Sequence, residues 1–216
     1  MDLETLDKLA FAKLRTLQLV KDRGFAVEDV EGSIDGLKVR RRAEDLWTQS
    51  LSVKQSLAEV ASESFQRGSL MCHVIFMDKN YDISKRKTKM VSTDQVKALK
   101  TKMNDLEEVG TKNSFIVISP SKWSPQAKKE DFTMFSDVTY FQYEDLSIRI
   151  PTHELYVPHV PITLDDLRQK ASPYIEEHDL PLIRKTDPVV RWFGFPVGTI
   201  LEIQRPGFLA YRRVVP

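Results

Sequence analysis

A single cysteine, Cys72, stands among 216 residues, so no intrachain disulfide can form and a reducing compartment suits the chain. The opening M-D-L-E-T-L-D-K has neither the basic start nor the apolar stretch of a secretory signal, and the expected setting is nucleus or cytosol. No apolar run approaches the ~20 residues that cross a bilayer, so no membrane role is expected. Charge of one sign is also missing. With 32 basic and 31 acidic residues the formal net charge is +1, and any nucleic-acid contact must come from a local patch. The eight glycines form neither G-x-x-x-x-G-K nor G-x-G-x-x-G, so no phosphate cradle is visible, and no G-x-S-x-G elbow marks a nucleophile. C-x-x-C and H-E-x-x-H spacings are absent. His153 and His159 lie six apart around Pro158, His178 stands alone, and Cys72 and His73 are neighbours whose side chains leave a strand on opposite faces. Neither a protein-borne metal nor a cofactor is expected.

What the sequence does contain is enough apolar residue (41%) for a core and enough charge (29%) for a solvated surface. Leu3, Leu6, Ala10, Leu14 and Leu17 recur at helical spacing over residues 3 to 22, with Gly24 placed for a left-handed cap. Leu46, Trp47, Leu51, Leu57 and Val60 suggest further helix within residues 33 to 68. Leu70 to Met77 reads as a buried strand, followed by a basic loop. A helix then starts at Thr93, with Val96, Leu99, Met103, Leu106 and Val109 on one face and Gly110 ending it. Phe115 to Ile118 is a second buried strand, so strand, helix and strand predict a parallel βαβ unit. Ser124-Pro125 opens a short helix through Lys129, and Val138 to Tyr143 reads as a third strand.

Pro151, Pro158 and Pro161 fall within eleven residues and exclude regular helix or central strand, placing a boundary near Arg149 to Thr163. Beyond it, Thr163 and Asp166 form a capping-box pair opening a helix whose apolar side is Leu164, Leu167, Ala171, Tyr174 and Ile175. Asp187-Pro188 is a second cap, and Gly194 closes its short helix. Strands at Thr199 to Gln204 and Leu209 to Val214 face each other across Pro206-Gly207. The reading is α+β in two domains, residues 1–150 and 151–216. The second is small enough to form a marginal core alone and to gain stability from a partner.

A magnesium nuclease needs converging carboxylates and an acid-x-lysine triplet on a strand. After the third strand come Glu144 and Asp145, with no lysine two residues beyond either, while Glu107 and Glu108 make sense as a solvated helix face. Basic runs at Arg40-Arg41-Arg42, at Lys85-Arg86-Lys87 with Lys89, and at Lys97, Lys100 and Lys102 read as solvated faces. The stretch Ser121 to Lys129 differs. Backbone N–H groups at a helix start, an indole at Trp123 and the lysines Lys122, Lys128 and Lys129 make it either a DNA-backbone contact or an inert loop.

The tail, His153 to Pro216, holds H-E-L-Y-V-P-H, then L-P-L-I-R-K-T-D-P-V-V-R-W-F-G, then V-G-T-I-L-E-I-Q-R-P. It sets shape and supplies no nucleophile, acid–base pair or metal cage, so it reads as a docking module. This order resembles the assembly domain of a small archaeal RNA polymerase subunit, which has that domain alone. It equally resembles the domain's eukaryotic counterpart in the fifth-largest subunit shared by the nuclear RNA polymerases. L-x-x-D-R-G-F (Leu19 to Phe25), F-I-V-I-S-P followed by S-P-Q-A-K-K (Phe115 to Lys129), and F-Q-Y-E-D-L-S-I-R-I-P-T-H-E-L-Y-V-P-H extend the resemblance to the two-domain eukaryotic form.

The resemblance implies a non-catalytic polymerase subunit working in the nucleus, or in a viral factory or virion if a large DNA virus encodes it. Residues 1–150 would be a jaw of nuclease-like α/β fold beside downstream duplex DNA, touching its backbone without sequence specificity through Lys122, Ser124, Pro125, Gln126, Ala127, Lys128 and Lys129. Residues 151–216 would be a small α/β assembly domain ending in a hairpin, gripped by the largest subunit beside a neighbouring small subunit. Its matching positions are His153, Leu155, Pro158, His159, Leu180, Pro181, Ile183, Asp187, Pro188, Val189, Arg191, Gly194, Gly198, Ile203 and Arg205. The chain departs from the family at the hairpin, where Pro206-Gly207-Phe208-Leu209-Ala210 replaces a longer turn, and at Trp192, where Tyr is common. A free-standing DNA-binding or scaffold protein, and behind it a nuclease-fold enzyme, are the alternative readings.

Overall fold

Apolar strands that are buried on both faces need helices above and below them, and the first half of the chain is built on that requirement. The computed structural model describes residues 12, 15–25, 62–67, 70–77, 81–82, 87–88, 90–107, 112–119, 121–130, 132, 134–135 and 137–216. They divide into two compact units, Met1–Ser147 and Ile148–Pro216.

In the first unit four strands run in the order β1 (Ser62–Arg67), β2 (Leu70–Phe76), β5 (Lys112–Ser119) and β6 (Asp137–Gln142). β2, β5 and β6 are mutually parallel, and β1 pairs antiparallel with β2. The expected βαβ unit is therefore present, with helix α1 (Thr93–Leu106) as its crossover. A reciprocal box starts α1: the Gln95 N–H donates to Ser92 Oγ and the Ser92 N–H to Gln95 Oε1. Val96, Leu99 and Met103 are buried, and Leu99 and Met103 pack on Ile75, Phe115 and Val117.

Period-two alternation sends Cys72, Val74, Ser114, Ile116 and Thr139 to the other face. There the end of the helical stretch 15–22 arrives, and Arg23 donates to Thr139 Oγ1 at 3.4 Å. Burial lowers the Arg23 pKa and pushes the Cys72 thiol up to about 11, although the two groups favour each other's charged forms. Ser114 Oγ donates to Asp137 at 2.7 Å in the same row of the sheet.

Four expectations for this unit need correction. Of the expected stripe only Leu17 is described, and it is half-buried, whereas Ala12, Thr16, Leu19 and Val20 are buried; Leu3, Leu6, Ala10 and Leu14 lie outside the described residues. Residues 62–67, at the end of the stretch read as containing further helix, form a strand, while Leu46, Trp47, Leu51, Leu57 and Val60 lie outside the described residues. The basic loop contains a two-residue antiparallel pairing of β3 (Tyr81–Asp82) with β4 (Lys87–Thr88). α1 stops at Leu106 because Glu107 turns extended (φ −75°, ψ 108°), short of Val109 and Gly110, which lie outside the described residues.

The second unit is a four-stranded sheet in the order β7 (His159–Ile162), β9 (Ile200–Arg205), β10 (Phe208–Val215) and β8 (Leu182–Arg184). β7 and β10 are antiparallel to β9, and β8 runs parallel to β10. Pro161 is tolerated because β7 is an edge. Helix α2 (Leu164–Lys170) begins with the anticipated Thr163–Asp166 box, in which Thr163 Oγ1 and N–H both donate to Asp166 Oδ2. That bonding holds the Asp166 carboxyl below its ordinary pKa. Leu167 packs with Leu180 and Ile200 on one sheet face.

Helix α3 (Pro188–Phe193) covers the opposite face, where Val190 meets Ile183, Leu201 and Val214. Asp187 caps α3, and Gly194 ends it at φ 68°, in the left-handed region where a Cβ is strained. Gly207 supplies the same freedom (φ 86°) to the β9–β10 turn, matching the expected hairpin. Two residues of the expected apolar face depart from expectation: Ala171, the C-cap of α2, is exposed, and so is Tyr174. Tyr174 is 89% exposed, because α2 ends at Lys170 and Pro173 excludes a further turn.

Candidate functional site

The loop after β5 is fixed by backbone bonds. Val91 N–H donates to Lys122 O and Ser124 N–H to Val91 O, both at 3.1 Å, tying the loop to the segment that leads into α1. Behind it Trp123 meets Tyr140 edge to face at 4.7 Å and Phe132 at 5.9 Å, while the Lys100 ammonium sits 5.0 Å over the Phe132 ring and 2.9 Å from Glu130. Burial raises the pKa of the Tyr140 phenol. This aromatic buttress was invisible in sequence, since its members are scattered over α1, the loop and β6. Its only signal was the indole flanked by lysines.

On that base Lys122, Pro125, Gln126, Lys128 and Lys129 are exposed, Ser124 is half-buried and Ala127 is buried. The helix expected here is a single 3₁₀ turn, Ala127–Lys129. Its leading N–H groups are already engaged: Ala127 donates to Ser124 Oγ at 3.1 Å and Lys128 to Ser124 O at 3.0 Å. The reading that these amides await a phosphate is therefore corrected. What the loop offers a polyanion is three ammonium groups on a rigid ledge.

The carboxylates weighed for a nuclease lie in a 3₁₀ turn, Glu144–Leu146, where Asp145 accepts from the Gln142 N–H at 2.9 Å. Among the described residues no three His, Cys, Asp or Glu side chains gather as a metal site. No described helix is long and apolar enough to cross a membrane.

The tail residues singled out in sequence take several different roles. Leu180, Ile183 and Ile203 are core, so they shape the module from within. Asp187, Pro188 and Gly194 set α3, with Val189 half-buried on it, and Gly198 (φ 92°) turns the chain into β9. His159 Nδ1–H donates to Val157 O at 2.7 Å and His153 Nδ1 accepts from the Leu155 N–H at 3.2 Å, so both histidines hold local turns. Leu155 (78% exposed), Pro158, Pro181, Pro188, Gly198 and Arg205 face solvent, while Arg191 is half-buried. The Arg205 guanidinium rests 5.9 Å from the centre of the Phe208 ring, which is its cross-strand neighbour at the hairpin tip.

Sequence reasoning also missed two features of the second unit. Lys170 donates at 2.7 Å to Glu202, a carboxylate almost inaccessible in β9, lowering the Glu202 pKa and raising that of Lys170. β8 also went unseen; it is too short to show a period.

Residues 148–215 match the family described as RNA polymerase Rpb5, C-terminal domain. Over 209 residues the chain is 24% identical to a Caenorhabditis elegans protein named DNA-directed RNA polymerases I, II, and III subunit RPABC1, covering 92% of each. It is 27% identical over 132 residues to the Dictyostelium discoideum subunit rpabc1, spanning 59% of this chain and 65% of that one. It is 29% identical over 138 residues to DNA-directed RNA polymerase V subunit 5A of Arabidopsis thaliana, covering 61% of each.

Proposed function

We propose, starting from a chain that is a divergent Rpb5-like protein, that it serves as a non-catalytic subunit of a DNA-directed RNA polymerase in the nucleus. The observation that carries this reading is the pairing of a family match over 148–215 with a unit whose motif residues spend themselves on caps, turns and core. Such a module is built to be held. Residues 151–216 anchor the chain to the largest subunit, beside a neighbouring small subunit, and the half-buried Arg191 and exposed Arg205 meet that subunit's carboxylates. Residues 1–150 act as a jaw near downstream duplex DNA, where Lys122, Lys128 and Lys129 attract phosphates without reading bases.

Affinity purification of the tagged full chain from its own cells tests the reading. The two large polymerase subunits should be recovered in near-equal amounts with it. A chain recovered as a solitary monomer, with no polymerase subunit, would overturn the proposal and favour a free-standing DNA-binding or scaffold protein.

A further inference from the structure

The two edges of the C-terminal sheet are treated differently. At β7, Pro161 has no N–H, which blunts that edge against further pairing. At β8, Arg213 N–H donates to Pro181 O and Lys185 N–H to Val215 O, so residues 181, 183 and 185 address β10. The amides and carbonyls of Leu182 and Arg184 therefore point away from the sheet, and no other strand of the described residues lies beyond them. Their carbonyls are already engaged, Leu182 O by Arg212 Nη1 at 3.4 Å and Arg184 O by the Asp187 N–H at 2.9 Å. What remains is a pair of N–H donors at i and i+2, the repeat of an extended strand.

The stretch of chain that carries β8 is basic, and Glu177 already lies 3.9 Å from Arg213 at one end of the edge. Residues 181–216 carry six basic side chains against two acidic, whereas residues 148–180 carry three against six. Arg184 is exposed, and Leu182 beside it on the same sheet face is 54% exposed.

We infer that the outer edge of β8 takes an extended, carboxylate-bearing segment of a partner polypeptide as a fifth strand. Its carbonyls accept from Leu182 and Arg184, an apolar side chain lies against Leu182, and an acidic one meets Arg184. The inference deepens the assembly reading above and rests on it.

The test compares the free full-length chain with the same chain in its affinity-purified complex, by amide hydrogen exchange. The Leu182 and Arg184 amides should exchange at least about tenfold more slowly in the complex, with the His159 amide on β7 unchanged. Arg184→Glu should lower recovery of large subunits at least about fivefold, and Lys97→Glu, on the exposed side of α1, should not. Polymerase subunits recovered with no added protection at β8 would overturn the edge inference alone. Failure to recover any polymerase subunit with the unaltered chain would overturn the assembly reading and the edge inference with it.

Discussion

Asp187→Ala is the sharpest probe of how the C-terminal unit is held. Helix α3 has six residues, and each of the four amide positions at its start has a clear fate. Asp187 N–H donates to Arg184 O at 2.9 Å, and Pro188 has no N–H. Val189 and Val190 both donate to Asp187 Oδ1, at 2.9 and 3.4 Å. One carboxylate oxygen thus serves the only two amides that would otherwise be orphaned. Removing an N-cap costs about 0.5–2 kcal/mol, and the upper half of that range applies because α3 carries the fully buried Val190 and Trp192. With a urea slope of about 1 kcal/mol per molar, the unfolding midpoint should fall by about 1–2 M. The ¹⁹F signal of 5-fluorotryptophan at Trp192 isolates this unit during the titration. Asp187→Asn keeps the acceptor and should recover more than half of the loss. A Trp192 midpoint in Asp187→Ala within about 0.3 M of the parent would refute the reasoning, because so small a shift lies below the cost of losing a cap.

Three further outcomes are expected. The Glu202 pKa is lowered and the Lys170 pKa raised by their mutual bond, so the pair stabilises the fold fully between their ordinary values of 4.5 and 10.5. That support is lost as pH falls through the Glu202 pKa or rises through the Lys170 pKa, so the Tm deficit of Glu202→Gln should shrink below about pH 4; a deficit independent of pH would count against the pair. Cys72 is enclosed and its thiol is pushed up to about 11, so Ellman's reagent at pH 8 should label it only as fast as the first unit opens; immediate labelling without denaturant would contradict the packing. Replacing Lys122, Lys128 and Lys129 with Ala should weaken DNA binding by the purified polymerase and flatten its salt dependence by ~0.9 in logarithmic slope for each phosphate no longer neutralised; an unchanged slope would remove the loop from the DNA path.

The parts of this fold that were legible in sequence are those fixed by neighbours in the chain. The Thr163 cap, Asp187-Pro188, Gly194 and Pro206-Gly207 act within a few residues, and each marks a boundary seen in the structure. The apolar blocks at Leu70 and Phe115 were equally plain, because strands enclosed on both faces need no alternation. β8 was illegible because Leu182–Arg184 becomes a strand only by pairing with Arg213–Val215, far along the chain. β1 was hidden for a similar reason, since S-E-S-F-Q-R has little apolar character and borrows its conformation from β2. Tyr174 misled because helical spacing was carried through Pro173. Among the candidate site residues, type alone could not separate Leu180, Ile183 and Ile203, which build the module, from Leu155, Pro181 and Arg205, which present it.

The order β7-β9-β10-β8 puts residues 208–215 in the middle of the sheet, with β9 on one side and β8 on the other. During synthesis β8 therefore waits, with no neighbour to zip onto, until that segment has left the ribosome. The segment's β9 flank then closes as a local hairpin, while its β8 flank joins Leu182 to Arg213 across a much longer loop. A chain cut short before residue 208 could still pair β7 with β9 but would leave β8, and the outer edge assigned to a partner strand, unformed.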